Sequence, residues 1–404
     1  MDAMKISAIK KHLEGYVELP LSKSISNRAL IISWLSGGKT SPGELSKADD
    51  TVLLHKLLRQ IEVGKDRRLN AHNAGTVYRF LTAVLAITPG EWILDGDDRM
   101  CQRPIGPLVS ALQDLGANIE YPGQEGFPPL RITGKNLEGG LVQIQADISS
   151  QFISALIMIG PALPRGLGIK MKGKKVSMPY LYLTMNMMKA AGAIIKPTPS
   201  LGVLPVPYKS GILPSATDWS AAAPWYSLMA LAEGGTLLLK GLEEKSVQGD
   251  RTLPSYFIMF GVESEWHAGG VMLRKRKIVK KDVNFDLSAT PDLAPSIIVT
   301  AAALGYKGHF KGLETLRIKE SDRIEAVSSE LEKNGFKCHI GPHSISFEPQ
   351  ALEIKHPIDT YSDHRIAMAF APLAILGKPI VINNPGVVSK SYPQFWKELT
   401  NVFT

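Results

Sequence analysis

The sequence predicts an α/β protein of two domains, each built from three repeated βαβαββ-type units. Three observations predict it. A chain of 404 residues with 44% hydrophobic content can bury a large core, and that length favours two domains over one. One pattern recurs six times: a polar opening, an apolar helix of small residues, a glycine stop, a strand, a link and a second, amphipathic helix. After three copies the Pro- and Gly-rich segment 197–214 interrupts the pattern, where a crossing between domains is expected.

The six openings are Ser22-Lys23-Ser24, Asn73-Ala74-Gly75-Thr76, Ser149-Ser150-Gln151, Asp218-Trp219-Ser220, Thr290-Pro291-Asp292 and Asp363-His364-Arg365. Their spacing of roughly 50 to 75 residues is that of a reused supersecondary unit. After the first opening, the apolar run 29–35 stops at Gly37-Gly38, so Ser22 or Ser24 can cap a helix there. Strands follow the first helices at 236–241, 308–312 and 379–383, and second helices with 3.6-residue apolar spacing at 104–115, 179–191 and 321–331. The expected domains are 20–215, and 1–19 joined to 216–404, with the other crossing near Leu19-Pro20.

Charge and cysteine usage narrow the function classes. The formal net charge of +8 suits nucleic acid, a membrane surface or small anions, and the placement of the cations must decide. Cys101 and Cys338 lie far apart without metal-ligand or disulfide spacing, which points to a reducing compartment, no metal and no cofactor held by thiolates. Met1-Asp2-Ala3-Met4-Lys5 lacks the apolar core of a signal peptide, and the longest apolar run, 152–163, is broken by Ser154, Gly160 and Pro161 and is too short to span a bilayer. A cytoplasmic protein is expected.

Two stretches concentrate the chemistry. In 19–28, Lys23 and Arg28 stand among Ser22, Ser24 and Ser26 at a helix start, with Ser24, Asn27 and Arg28 on one face. Unpaired N–H groups there favour phosphate or carboxylate, and Arg28 adds a planar fork, although a serine cap beside two solvated cations explains the stretch equally. In 316–325, Lys319, Glu320, Asp322 and Arg323 pack four charges into five residues, either as i,i+3 pairs on a surface helix or as a carboxylate held among cations for proton transfer. Asp292, ahead of an apolar helix, is a second carboxylate that could cap or act as a base. If the units place their first helices alike, the openings face one cleft, made cationic by Lys23, Arg28, Arg79, Arg103, Arg323, Arg365 and Lys390 near helix starts, where the dipole opposes them. Ordinary caps account for Asp218 and Ser220.

The ordered set of motifs resembles the enolpyruvyl transferase family, and within it the 5-enolpyruvylshikimate-3-phosphate synthase branch, from about Gly15 to Phe395. It comprises Lys23-Ser24-Ile25-Ser26-Asn27-Arg28, Asn73-Ala74-Gly75-Thr76 with Arg79, Arg103-Pro104, Ser149-Ser150-Gln151, Pro291-Asp292, Arg317-Ile318-Lys319-Glu320-Ser321-Asp322-Arg323, Asp363-His364-Arg365 and Lys390-Ser391-Tyr392-Pro393. The resemblance implies an inside-out α/β barrel of two domains that close on substrate, acting as a monomer without metal or cofactor. It implies shikimate 3-phosphate contacts from Lys23, Ser24, Arg28, Ser149, Ser150, Gln151, Ser177, Tyr180, Asp292 and Lys319. Phosphoenolpyruvate would meet Lys23, Asn73, Gly75, Arg103, Gln151, Arg323, Arg365 and Lys390, and Asp292, Glu320 and Lys23 would move protons.

Several positions depart from that family's pattern. Leu21 and His72 stand where glycine is usual, Phe80 replaces a proline after Arg79, Cys101-Gln102 replaces a more polar pair, and the first repeat is short between Leu58 and Ala71, which predicts a trimmed unit. The sister activity on UDP-N-acetylglucosamine places a cysteine before an Arg-Pro pair, but Cys101 lies too close to Arg103-Pro104 and reads as a small packed thiol. A polyanion-binding protein would use Lys170 to Lys175 and Arg274 to Lys281; with few aromatic partners nearby, these read as solvated strand edges, and no nucleic acid or membrane partner is expected.

Overall fold

A computed structural model describes residues 2–196, 200–278 and 282–404. Residues 197–199, at the expected crossing, and 279–281, which include Lys280 and Lys281 of the second basic cluster, lie outside the described residues. The chain forms two compact units: Ser22–Ser215, and the N-terminal residues through Leu21 joined to Ala216–Thr404. The first boundary falls after Leu21, two residues beyond the expected Leu19-Pro20.

All six openings lead into helices. In the continuous unit these are Lys23–Leu35, Gly75–Ala86 and Ser150–Ile159. In the other they are Ala223–Leu231 and Ala294–Ala303, each entered through a short 3-10 turn, and His364–Phe370. Past their polar openings their sequences are largely apolar all round, so those parts must be surrounded by protein. In Gly75–Ala86 only Thr76 escapes full burial, and all of Ala223–Leu231 and His364–Phe370 are buried. Within each unit the three first helices pack on one another. Small polar residues stitch them: Thr300 Oγ1 donates to Ser227 Oγ at 2.8 Å.

The sheets lie outside these helices. Three repeats carry a four-stranded sheet whose strands run 1-2-4-3: the first two parallel, the fourth antiparallel to the second, the third at the edge; a fourth repeat keeps this order in five strands, its first position split between His12–Leu13 and Tyr16–Glu18. Arg68–Asn70, Gly90–Asp95, Leu130–Gly134 and Asn118–Glu120 show this order, with Leu69 facing Leu94 and Trp92 facing Ile132. Parallel pairing of the first two strands requires the buried helix as crossover. The second helices cover one side with an amphipathic face, as in Asp49–Val63, where Leu54, Leu57, Leu58 and Ile61 point inward.

The two remaining repeats are completed by distant chain. Thr40–Ser41 pairs in parallel with Gly211–Ile212, giving the short first repeat a two-stranded sheet. In the last repeat, Ile380–Asn383 pairs antiparallel with Ala3–Ile6 from the N-terminus and bridges in parallel to Ile358. The inside-out arrangement thus consists, in each unit, of separate small sheets around central helices, with no closed barrel among the described residues. The basic clusters are not on edges either: Leu167–Lys172 and Gly270–Lys275 are inner strands, and Arg274 and Arg276 are paired with Glu265 and Glu263.

Candidate active site

In the discontinuous unit the three helix openings converge. Arg365, the second residue of its helix, donates from Nη1 to the Ser220 carbonyl at 3.2 Å and lies 3.8 Å from Asp292. Arg323, 2% exposed, is the hub. It donates from Nε and Nη2 to both oxygens of Asp363 at 2.8 and 3.1 Å, from Nη1 to Asp292 at 2.8 Å and from Nη2 to Glu320 at 2.9 Å. Lys319 Nζ stands 3.3 Å from the same Asp292 oxygen. Asp363 meanwhile caps its own helix by accepting from the Arg365 N–H and takes the Ser321 hydroxyl at 3.0 Å.

The local chain explains the convergence. Glu314–Ile318 is a 3-10 turn, and Asp322 caps the following helix Arg323–Lys333 by accepting from the Ile324 and Glu325 N–H groups. Lys319 and Glu320 thus lie ahead of the helix, not on an exposed helical face. Only the Glu320–Arg323 pair of the two expected i,i+3 pairs forms, because Asp322 also binds Arg317 at 2.9 Å. Lys390 needs a second correction: it ends the 3-10 turn Pro385–Lys390 and is not near a helix start.

The cluster is less cationic than its arginines suggest. Asp250, 2% exposed, accepts the Ser220 hydroxyl, and Asp218 accepts the Ser220 N–H. Burial would raise Asp292, but Lys319, Arg323 and Arg365 outweigh it and hold the carboxyl well below the usual carboxylate range. Asp250 goes the other way: burial, then the Asp292 charge, push it up to about 6. Burial lowers Arg323, yet Asp363, Glu320 and Asp292 overcome that and raise it above an ordinary arginine.

In the continuous unit a second polar set forms around the other three openings. Arg103 Nη1 donates to the carbonyl and side-chain oxygens of Asn73, both at 3.2 Å. A Cβ on Gly75 would meet the Arg79 and Arg103 guanidinium groups, so any other residue here would require those side-chain ends to shift. Gln151 reaches from the third-repeat helix to Thr76 Oγ1 at 3.2 Å, and Ser149 caps that helix by accepting from the Gln151 N–H. Lys23 pairs with Asp50 at 2.9 Å.

Arg28 is already engaged by protein. It is 2% exposed and donates to Thr184 Oγ1 at 2.6 Å, the Ser24 carbonyl at 2.8 Å and the Tyr180 carbonyl at 3.3 Å, while its guanidinium lies 5.4 Å from the Phe80 ring centre. Its fork is spent largely on protein, and burial lowers its pKa to about 10. Ser22 occupies the N-cap position, but its buried hydroxyl makes no capping bond. Asn27 is fully buried and accepts from Thr51 Oγ1 at 2.8 Å, so it turns into the unit and not towards a ligand. Ser150 and Ser177 are buried, and Ser177 holds φ +53° at the start of Met178–Ala190.

The departures resolve individually. His72 does take the left-handed backbone that glycine would favour, φ +46°, held by its N–H on Asn70 Oδ1 at 2.7 Å. Leu21 keeps an ordinary backbone and bridges to Thr217. Cys101 is only half-buried, its thiol raised by burial and then by Asp95, Asp97 and Asp98. Sequence reasoning missed Asp250, Asp50 and Thr184 as partners of the cationic residues. Gln248-Gly249-Asp250 carries no signal beyond a turn, and Thr184 is one hydroxyl in a helix of methionines. Asp363 was within a recognised motif, but not as the bidentate partner of Arg323.

Comparison with known proteins places this arrangement. The family model of EPSP synthase (3-phosphoshikimate 1-carboxyvinyltransferase) matches residues 43–399. The chain belongs to the EPSP synthase family. It is 44% identical to the 3-phosphoshikimate 1-carboxyvinyltransferase of Bacteroides fragilis over 392 residues, covering 96% of this chain and 95% of that one. It is 34% identical to the Vibrio atlanticus enzyme of the same name, covering 99% of each. The EPSP synthase structure from Acinetobacter baumannii superposes with a TM-score of 0.75 over 100% of this chain and 98% of that one, at 21% identity, which shows the shared fold.

Proposed function

We propose that this chain is a 3-phosphoshikimate 1-carboxyvinyltransferase, moving the enolpyruvyl group of phosphoenolpyruvate to the 5-hydroxyl of shikimate 3-phosphate with release of phosphate. The observation that carries the proposal is the Arg323 hub, which holds two non-capping carboxylates, Asp292 and Glu320, among Lys319 and Arg365. Acid–base addition and elimination needs such carboxylates and needs no nucleophilic side chain.

Arg323, Arg365 and Lys390, with Arg103 and the backbone from Asn73 to Gly75, are assigned to the carboxylate and phosphate of phosphoenolpyruvate. Ser24, Ser149, Ser150, Ser177, Tyr180 and Lys319 are assigned to shikimate 3-phosphate, with Lys23 and Gln151 serving both substrates. Arg28 is assigned to the same substrate while holding the Ser24 and Tyr180 carbonyls. Asp292 accepts the proton of the attacking hydroxyl, Glu320 exchanges a proton with the methylene carbon, and Lys23 stabilises the developing charge. A carboxylate as depressed as Asp292 is a feeble base. Substrate anions that compete for Lys319, Arg323 and Arg365 loosen their hold on it, so the base strengthens only when the anions are bound. The reaction draws on residues of both units, which we take to be its two domains, and it requires no metal; we place it in the cytoplasm as a monomer.

The acceptor is tested by offering shikimate 3-phosphate or UDP-N-acetylglucosamine with phosphoenolpyruvate and detecting the enolpyruvyl ether by mass. The ether forms on shikimate 3-phosphate; its appearance only on the nucleotide sugar would overturn the assignment.

A further inference from the structure

The turn that delivers Asp363 is strained. Tyr361 and Ser362 hold φ of +52° and +55°, and the Asp363 N–H closes onto the Thr360 carbonyl at 2.8 Å. Two successive left-handed residues between such a closure make a type I′ turn, a conformation that favours Asn-Gly and disfavours the Cβ atoms of tyrosine and serine. Such a turn persists only where surrounding structure over-determines it.

That structure is supplied by the far end of the Arg323 helix. Glu330, 1% exposed, accepts the Tyr361 hydroxyl on Oε1 at 2.8 Å and the Asp359 N–H on Oε2 at 3.1 Å. Lys333 bridges Glu330 and Asp359 at 2.8 and 2.9 Å, and Asn383 Nδ2 holds the other Asp359 oxygen at 2.6 Å. Asn334 Oδ1 accepts the N–H groups of Lys355 and His356 just upstream. Helix Arg323–Lys333 is therefore tied to the Asp363 segment at both ends: by Arg323 on Asp363, and by Glu330 about 10 Å further along its axis. Tyr361 is 42% exposed, so burial of its ring does not explain the conformation.

We propose that Glu330 and Tyr361 form a latch that holds the 360–363 turn in its left-handed form and so sets the Asp363 carboxylate against Arg323. Both are positioning residues, remote from the reacting atoms. The proposal rests on the reading that the Arg323 cluster serves enolpyruvyl transfer. When the latch is removed, the turn relaxes, Asp363 leaves its two-point grip, and Arg323 no longer fixes Asp292 and Glu320.

Three variants test it: Tyr361→Phe, which removes only the hydroxyl; Ser362→Gly, which makes the left-handed turn intrinsically favourable; and the two combined. In wild type that releases phosphate with both substrates, Tyr361→Phe lowers kcat about tenfold or more, Ser362→Gly turns over as wild type does, and the double variant recovers most of the loss. Damage to the fold away from this turn would not be rescued by a glycine within it. Hydrogen exchange reads the same latch without turnover: the Asp363 and Arg365 amides exchange faster in Tyr361→Phe and slow again in the double variant. A wild-type enzyme inactive on these substrates would sink the functional reading while leaving the exchange test intact. Wild-type kcat and exchange in Tyr361→Phe, or a double variant no better than Tyr361→Phe, would overturn the latch.

Discussion

Asp250 feels the Asp292 charge, yet the two shift in opposite directions, because burial dominates at Asp250 while Asp292 faces three cations that outweigh its burial. The depressed group contributes stability that is complete above the ordinary aspartate range and is lost only in strong acid, so it leaves neutral-pH stability flat. Asp250, raised to about 6, contributes stability that is full below the ordinary range and is lost as pH climbs through about 6. Asp250→Asn removes that loss and keeps an acceptor for the Ser220 hydroxyl. Its Tm relative to wild type therefore improves as melts are taken from pH 5 to pH 7; a difference independent of pH would show that Asp250 does not titrate there. Asp292→Asn is expected to slow phosphate release about 100-fold or more while Arg323 keeps Asp363 and Glu320 as partners, measured as kcat with both substrates saturating.

At the scale of the element, helix Arg323–Lys333 sets a partly exposed cap beside a buried charge. Asp322→Ala removes a cap of two N–H bonds together with a partly exposed pair to Arg317, and is expected to cost about 1 kcal/mol in a urea titration. Asp363→Ala takes two of the four bonds from a buried guanidinium as well as the cap of the next helix and is expected to cost more, about 3 kcal/mol, so equal losses in the two titrations would refute the distinction. The contrast also shows what was readable beforehand. Helix starts such as Asp363 and Ser149 announce themselves by residue type and spacing, because caps act through neighbouring backbone. Arg28 could not be read, since its partners Tyr180 and Thr184 lie more than 150 positions away and only the packing of the first helix on the last brings them together. Lys390 misled for the same reason: its motif named the residue but not the 3-10 turn beneath it.

For the whole molecule, six buried helices explain why the repeat was visible at all: a helix enclosed on all sides writes an unbroken run of small apolar residues, and its opening must be polar. The sheets were harder to read, because short strands such as Gly211–Ile212 and Ala3–Ile6 complete their repeats from remote chain. The unit 22–215 is continuous and compact. Expressed alone it is expected to unfold cooperatively in urea yet release no phosphate, since Asp292, Glu320 and Arg323 belong to the other unit; turnover by this fragment would contradict the division of roles. The most direct test of the proposed function is phosphate release with phosphoenolpyruvate and shikimate 3-phosphate, each alone and then together, in wild type and Glu320→Gln. Release only with both, reduced about 100-fold or more in Glu320→Gln, is the predicted result; release from phosphoenolpyruvate alone, or an undiminished rate in the variant, would contradict it.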